Sequence, residues 1–224
     1  MNPYLGLSFS VGSIAFPLIV LLLKFRKISP VYYPFAILIF AGFCTELIAF
    51  YLGRKYGTNM AALNVFSLAE SLLLIYQFHR WGFFTETRLK NFYALVAMML
   101  VGWIGQNFVF GSLSDPNRVY LVSYYFLVVI LAIRQINKDM TTGQSTRDEL
   151  ARLIICTGIL LFFTFGIIRE TFTIFASLMS AELRDRIFLI VVVTNLISNI
   201  IYGFGAVYIP KKKEWPDLFP KQVS

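Results

Sequence analysis

Four side chains capable of ionic chemistry sit where charge is expensive. In FGIIRETFTIF, residues 165–175, Arg169 and Glu170 stand side by side, and the stretch Leu153 to Ile168 before them carries no charge. Glu46 and Glu70 lie inside two other apolar stretches. A charge within a bilayer costs about 2.5–3.5 kcal/mol on insertion scales and normally faces the protein interior. Three carboxylates against one guanidinium leave a formal balance of −2. Repulsion and desolvation then ask for a shared proton or a cationic partner. The chemistry expected is binding of a small or cationic ligand, or proton carriage.

Amides and hydroxyls extend the set. Asn195, Ser198, Asn199 and Tyr202 recur at i, i+3, i+4 and i+7, one stripe of a helix. Asn64, Ser67 and Ser71 form a similar stripe with Glu70 on its flank, and Arg169 and Thr173 are one turn apart. Gln106 and Asn107 close another apolar stretch. Such groups also act as glue between membrane helices, at about 0.6 kcal/mol per hydrogen bond. A buried ion pair between Arg169 and Glu170, Glu46 or Glu70 is the structural alternative for the charged set. Desolvation roughly cancels the attraction in such a pair, which makes four charges an expensive staple. The candidate ligand-binding or proton-carrying residues are therefore Glu46, Glu70, Arg169, Glu170, Asn64, Gln106, Asn195 and Asn199.

The elements that must position them are membrane helices. The chain has 224 residues, 58% hydrophobic and 14% charged, with a mean hydropathy of +0.69. A soluble domain carries about 25% charged residues, so the solvent implied is lipid. Apolar stretches at 6–24, 31–53, 60–79, 91–111, 118–137, 152–176 and 187–209 each reach the roughly 20 residues that cross ~30 Å of hydrocarbon. They are too long and too continuously apolar for barrel strands. The expected fold is an all-α integral membrane protein, a seven-transmembrane-helix bundle over 1–210 with a basic tail over 211–224. Connections are short, and the longest, Asn137 to Glu149, reads as a polar loop.

Lys and Arg set the orientation. With the N-terminus outside and the C-terminus cytoplasmic, fourteen cations fall inside and five outside, Arg169 being the twentieth. The inner set includes Lys24, Arg26, Lys27, Arg88, Arg147, Lys213 and Lys221; the outer set is Arg54, Lys55, Arg118, Arg184 and Arg186. Tyr4, Trp81, Trp103 and Trp215 are among the aromatics near segment ends, as interfacial rings should be. In that frame Glu46 and Arg169 lie roughly 24 Å above the inner edge, and Gln106 roughly 21 Å. Asn64, Glu70 and Asn195 lie roughly 6, 15 and 12 Å below the outer edge. Polar groups thus gather in the outer half. The inner halves are nearly all Leu, Ile, Val and Phe, with Gln77 and Thr157 as exceptions.

Several chemistries lack residues. The cations sit in short loops between apolar stretches, which fits membrane orientation rather than nucleic acid. His79 is the single histidine, at the inner end of the third span. With no HExxH, His cluster or cysteine pair, no metal site is expected. Cys44 and Cys156 lie in apolar stretches as small buried residues. No GxSxG elbow is present, no Asp falls within a predicted span, and no intramembrane Lys could form a Schiff base. No cofactor is expected. An intramembrane lipid-modifying enzyme would have to rest on the glutamates alone. KKKEWPDLF reads as a stop-transfer anchor for anionic lipid. The N-terminus lacks a basic region and cleavage pattern, so no signal peptide is read, and compactness points to a bacterial inner membrane.

In topology and loop length the chain is similar to the seven-helix sensing regions at the N-terminus of some bacterial histidine kinases. The resemblance covers all seven spans, carries no alignable motif, and departs in the lack of an output domain. The polar outer half above an apolar inner half points separately to a sensor or receptor that receives a ligand from outside and signals through a partner at the cytoplasmic face. The competing expectation is a proton- or cation-coupled transporter or channel, for which intramembrane carboxylates are the usual carriers. The apolar inner half and the absence of paired broken helices count against it.

Overall fold

In a computed structural model of the chain, residues 3–84, 89–142, 146–175 and 180–212 are described, with side chains from Gly12 onward except at 142 and 181. The Arg88, Lys213, Lys221 and Trp215 assignments, the Tyr4 side chain and most of the basic tail fall outside them. The described residues form seven α-helices and no strand: α1 Pro3–Lys24, α2 Tyr33–Tyr56, α3 Met60–Arg80, α4 Leu89–Ile104, α5 Arg118–Thr142, α6 Arg147–Ile174 and α7 Ala181–Tyr208. Six segments, those of α2 to α7, are long and apolar enough to cross a membrane. From Gly12, α1 adds a shorter apolar helix. The chain is thus an α-helical, multi-pass integral membrane protein.

Local chemistry explains the ends. Pro34 opens α2, where its missing N–H is no loss. Gly57, at φ 73°, closes α2 in the left-handed conformation that suits glycine. A five-residue π turn, Gly105–Val109, extends α4. The polar stretch expected to be a loop, Asn137 to Glu149, is instead largely helical. Helix α5 continues to Thr142, and α6 starts at Arg147 behind a capping box of Thr146 and Glu149. Helix α7 begins six residues earlier than the sequence pattern suggests, at Ala181 rather than 187. Ser180 caps it, and Glu182 pairs with Arg186 one turn on.

Helix α1 packs against α2 and α7, α2 against α3, α3 against α5, α5 against α6, and α6 against α7. These six close a ring. Helix α4 stands outside it, against α3. The outer surface is studded with large apolar side chains such as Leu23 and Val101, 80% and 70% exposed. Lipid, not water, suits such a surface.

The two ends of the ring differ. At the end where α2 and α6 begin and α3, α5 and α7 finish, the centre is filled. Tyr32, Phe35, Ile75, Phe78, Ile155, Ile159 and Ile209 are fully buried there. Gln77 serves this end as a cap: its Oε1 accepts from the Phe35 N–H at 2.8 Å and its Nε2 donates to the Val31 carbonyl at 2.9 Å. Lys24 donates to the carbonyls of Ala206 and Val207 at 3.0 and 2.6 Å. Arg147 donates to Val207 and Tyr208 at 3.3 Å. Both cations thus satisfy the exposed carbonyl end of α7.

The expectation that this half is apolar, with no Asp in a span, needs correction. Asp139 and Asp148 lie inside helices, because α5 and α6 run past their predicted limits. Arg152 grips Asp139 through Nη2 at 3.0 Å and also pairs with Asp148. Gln135 donates to both Asp139 oxygens at 3.1 Å, and the Tyr32 hydroxyl donates to Asp148 Oδ1 at 2.7 Å. This network ties α5 and α6 to the connection between α1 and α2.

Candidate functional site

At the opposite end the ring is hollow. A cavity of about 900 Å³ lies between α2, α3, α5, α6 and α7, reaching from Arg54, Asn59 and Asn117 near the helix ends down to Ile14, Leu38 and Tyr202. Seven of the eight candidate residues line it: Glu46, Glu70, Arg169, Glu170, Asn64, Asn195 and Asn199. Gln106 does not; it sits half-buried in the π turn beyond α4, outside the ring. Depth along a span placed it level with the others, but depth says nothing about which side of α3 a helix occupies.

The side chains divide by how far they are engaged. Arg169 and Glu170 form a pair: Nε donates to Oε1 at 2.8 Å, and Nη2 lies 2.6 Å from the same oxygen. Neighbouring residues on a helix point apart. The long guanidinium therefore folds back, and Nη2 also approaches the Tyr125 hydroxyl at 3.4 Å. The Arg169 side chain stays 37% exposed, Glu170 only 10%. Glu70 is buried and accepts a hydrogen bond from the Tyr124 hydroxyl. Glu46, half-buried on α2, has no hydrogen bond or ion pair among the described residues.

Three amides are partly or wholly structural. Asn64 Nδ2 donates to the carbonyls of Leu113 and Asp115 at 2.8 and 2.7 Å, and its own carbonyl accepts from Trp103 Nε1 at 2.7 Å. It clamps the α4–α5 connection to α3. Asn199 Nδ2 donates to Ser13 Oγ at 2.7 Å and to Asn195 Oδ1 at 3.1 Å, joining α7 to α1. These match the glue expected of membrane amides. Asn117 donates to Ser67 Oγ at 3.1 Å, while its buried Oδ1 has no partner.

The structure also adds groups that spacing did not single out. Tyr124 and Tyr125 bring two phenols to the carboxylates, and the adjacent pair was the available signal. Arg54 and Arg118 line the upper cavity, so the whole lining holds three cations and three carboxylates. The charge count made from the spans alone therefore holds only for the deeper part. Both added arginines are turned to the rim: Arg118 donates to the Thr173 carbonyl at 2.5 Å, and Arg54 lies 4.5 Å over the Phe50 ring. Tyr202 is 8% exposed, lines the deep wall, and its hydroxyl has no hydrogen-bond partner among the described residues. No group of three metal-ligating side chains occurs among the described residues.

Comparison with protein-family models, curated proteins and solved structures gives no match to this chain. The likeness to kinase sensing regions gains no support from it, and function must be argued from the cavity.

Proposed function

We propose that this is a seven-helix protein of a bacterial inner membrane, N-terminus outside and C-terminus cytoplasmic, that binds a small or cationic ligand as a sensor or receptor. The observation that carries the reading is a ligand-sized cavity whose wall holds a carboxylate, Glu46, with no hydrogen bond or ion pair among the described residues. Pockets for small molecules occupy about 300–1,000 Å³ and combine apolar walls with a few polar groups. The excess of Lys and Arg at the filled end supports the orientation, which opens the cavity outward. Its signal would pass to a partner at the cytoplasmic face.

The filled end also weighs against transport. A permeant ion would have to cross the layer of Ile75, Phe78, Ile155 and Ile159, all essentially without accessible surface. The test uses the full chain in two preparations. In nanodiscs, a panel of small molecules of differing charge is screened for a rise in melting temperature. In proteoliposomes, proton and cation flux is followed with internal dyes. Stabilisation by a ligand without flux is the expected result. Flux that disappears in Glu70→Gln would overturn the receptor reading in favour of a coupled transporter.

A further inference from the structure

We infer that the ligand of this cavity is an organic cation: an ammonium or amidinium group held at Glu46, with an apolar body lying among aromatic rings. The inference rests on the binding reading above and names its ligand class.

Charge is the first argument. In the deeper cavity the one guanidinium, Arg169, is already engaged by Glu170 at 2.6 Å and touches Tyr125. Glu70 is held by Tyr124. Glu46 is left, facing the cavity without an ion-pair partner among the described residues. Glu46 is half-buried, and Arg169, the cation that acts on it, is shared with Glu170, so a bound cation offsets the desolvation of its carboxylate.

The walls are the second. Phe50, Phe66, Phe162, Phe163 and Phe188 all line the cavity. Aromatic faces attract cations, most strongly ones with diffuse charge and weak hydration. The molecule shows this itself at the rim, where the Arg54 guanidinium rests on Phe50. A strongly hydrated metal ion would gain little from such walls, and no metal-binding group of side chains occurs among the described residues. The volume of about 900 Å³ also far exceeds what a bare ion or proton needs.

Tyr202 is the third, independent observation. It is more than nine-tenths buried, lines the deep wall, and has a hydroxyl without a partner among the described residues. Its hydroxyl faces the cavity rather than the packed interior, so a polar group of an occupant can reach it. Tyr202 would serve a polar substituent on the body of the cation.

The test uses the full chain in nanodiscs of phosphatidylglycerol, whose headgroup bears no cation. Binding of benzyltrimethylammonium is compared with that of its uncharged isostere, in which carbon replaces the nitrogen. We expect saturable binding of the cation, at least about ten-fold tighter than the isostere. Glu46→Gln should abolish that preference, and Phe66→Leu should weaken the cation alone by about three- to ten-fold. The melting temperature of each ligand-free variant shows whether it is folded, and the two variants fail independently. Adding phosphatidylethanolamine to the discs separates the sources. Competition would assign the site to a lipid headgroup, and lack of it to a soluble cation; both outcomes support the cation class. Equal binding of cation and isostere, or an unchanged preference in a folded Glu46→Gln, overturns the class but leaves a binding cavity. Failure of every compound, whatever its charge, overturns the binding reading as well.

Discussion

Arg152→Met tests whether the ionic network at the filled end holds the bundle together. The substitution keeps much of the side-chain volume and removes the charge. Arg152 approaches Asp139 through Nη2 and Nε at 3.0–3.2 Å, and pairs with Asp148 as well. The side chains of Arg152 and Asp139 are only 13% and 6% exposed, so solvent cannot replace the guanidinium. Breaking a buried pair from one side typically costs about 3–5 kcal/mol. Gln135 still donates to both Asp139 oxygens, which favours the lower end, about 3 kcal/mol. For a chain of this size that is a fall of roughly 6–12 °C in melting temperature. Cys156 is a built-in reporter: it is fully buried one turn beyond Arg152. In a Cys44→Ala background, a fluorogenic maleimide in detergent reads only its exposure. Adding Asp139→Asn to Arg152→Met removes the charge that Arg152 balanced and should recover about 1–3 kcal/mol of the loss. A single variant melting within about 2 °C of its parent, or a double variant no better than the sum of the singles, would refute the argument.

Two further outcomes are expected. Gln77→Leu leaves the buried Phe35 N–H and Val31 carbonyl without the partners they now have at 2.8 and 2.9 Å. It should cost about 1–3 kcal/mol in the same thiol assay, whereas Gln77→Glu, which keeps the acceptor, should rescue part of it. In a chain lacking Cys44 and Cys156, Ser114→Cys should react with a membrane-impermeant maleimide added outside cells. Lys212→Cys should react only after lysis; the reverse pattern would invert the orientation and place the cavity on the cytoplasmic side.

The membrane class was legible because apolar length and low charge leave few alternatives. The ends of the helices were less so. Asn137 to Asp139 look like loop residues one by one, yet Gln135 and Asp139 at i, i+4 and Asp148 and Arg152 at i, i+4 form the two halves of a network that keeps both helices going. The spacing was visible, but the pairing across thirteen residues was not. The gathering of Glu46, Glu70, Arg169 and Glu170 followed from depth, because a polar group in a bilayer turns inward at whatever level it occupies. Gln106 failed the same logic since α4 lies outside the ring. Asn64 was located at the cavity, but its task as a clamp depends on Leu113 and Asp115, whose backbone carbonyls carry no sequence signal.

The division between ends explains how the cavity can keep an unengaged carboxylate. A chamber of about 900 Å³ forfeits side-chain packing across the ring, and Glu46 adds a cost of roughly 2.5–3.5 kcal/mol if it is ionised away from water. Asn64, Asn199 and Glu70 are already committed to partners. The compensation lies along the same helices. Helix α6 carries Arg169 and Glu170 toward one end and Asp148 and Arg152 toward the other, separated by about 26 Å of continuous helix. Helix α3 likewise carries Glu70 in the hollow half and Gln77 in the filled one, two turns on. The rods that frame the chamber are thus anchored where the interior is full. That is the arrangement expected when a site must stay open and polar: the packing lost there is local, and the stability that tolerates it is drawn from elsewhere in the fold.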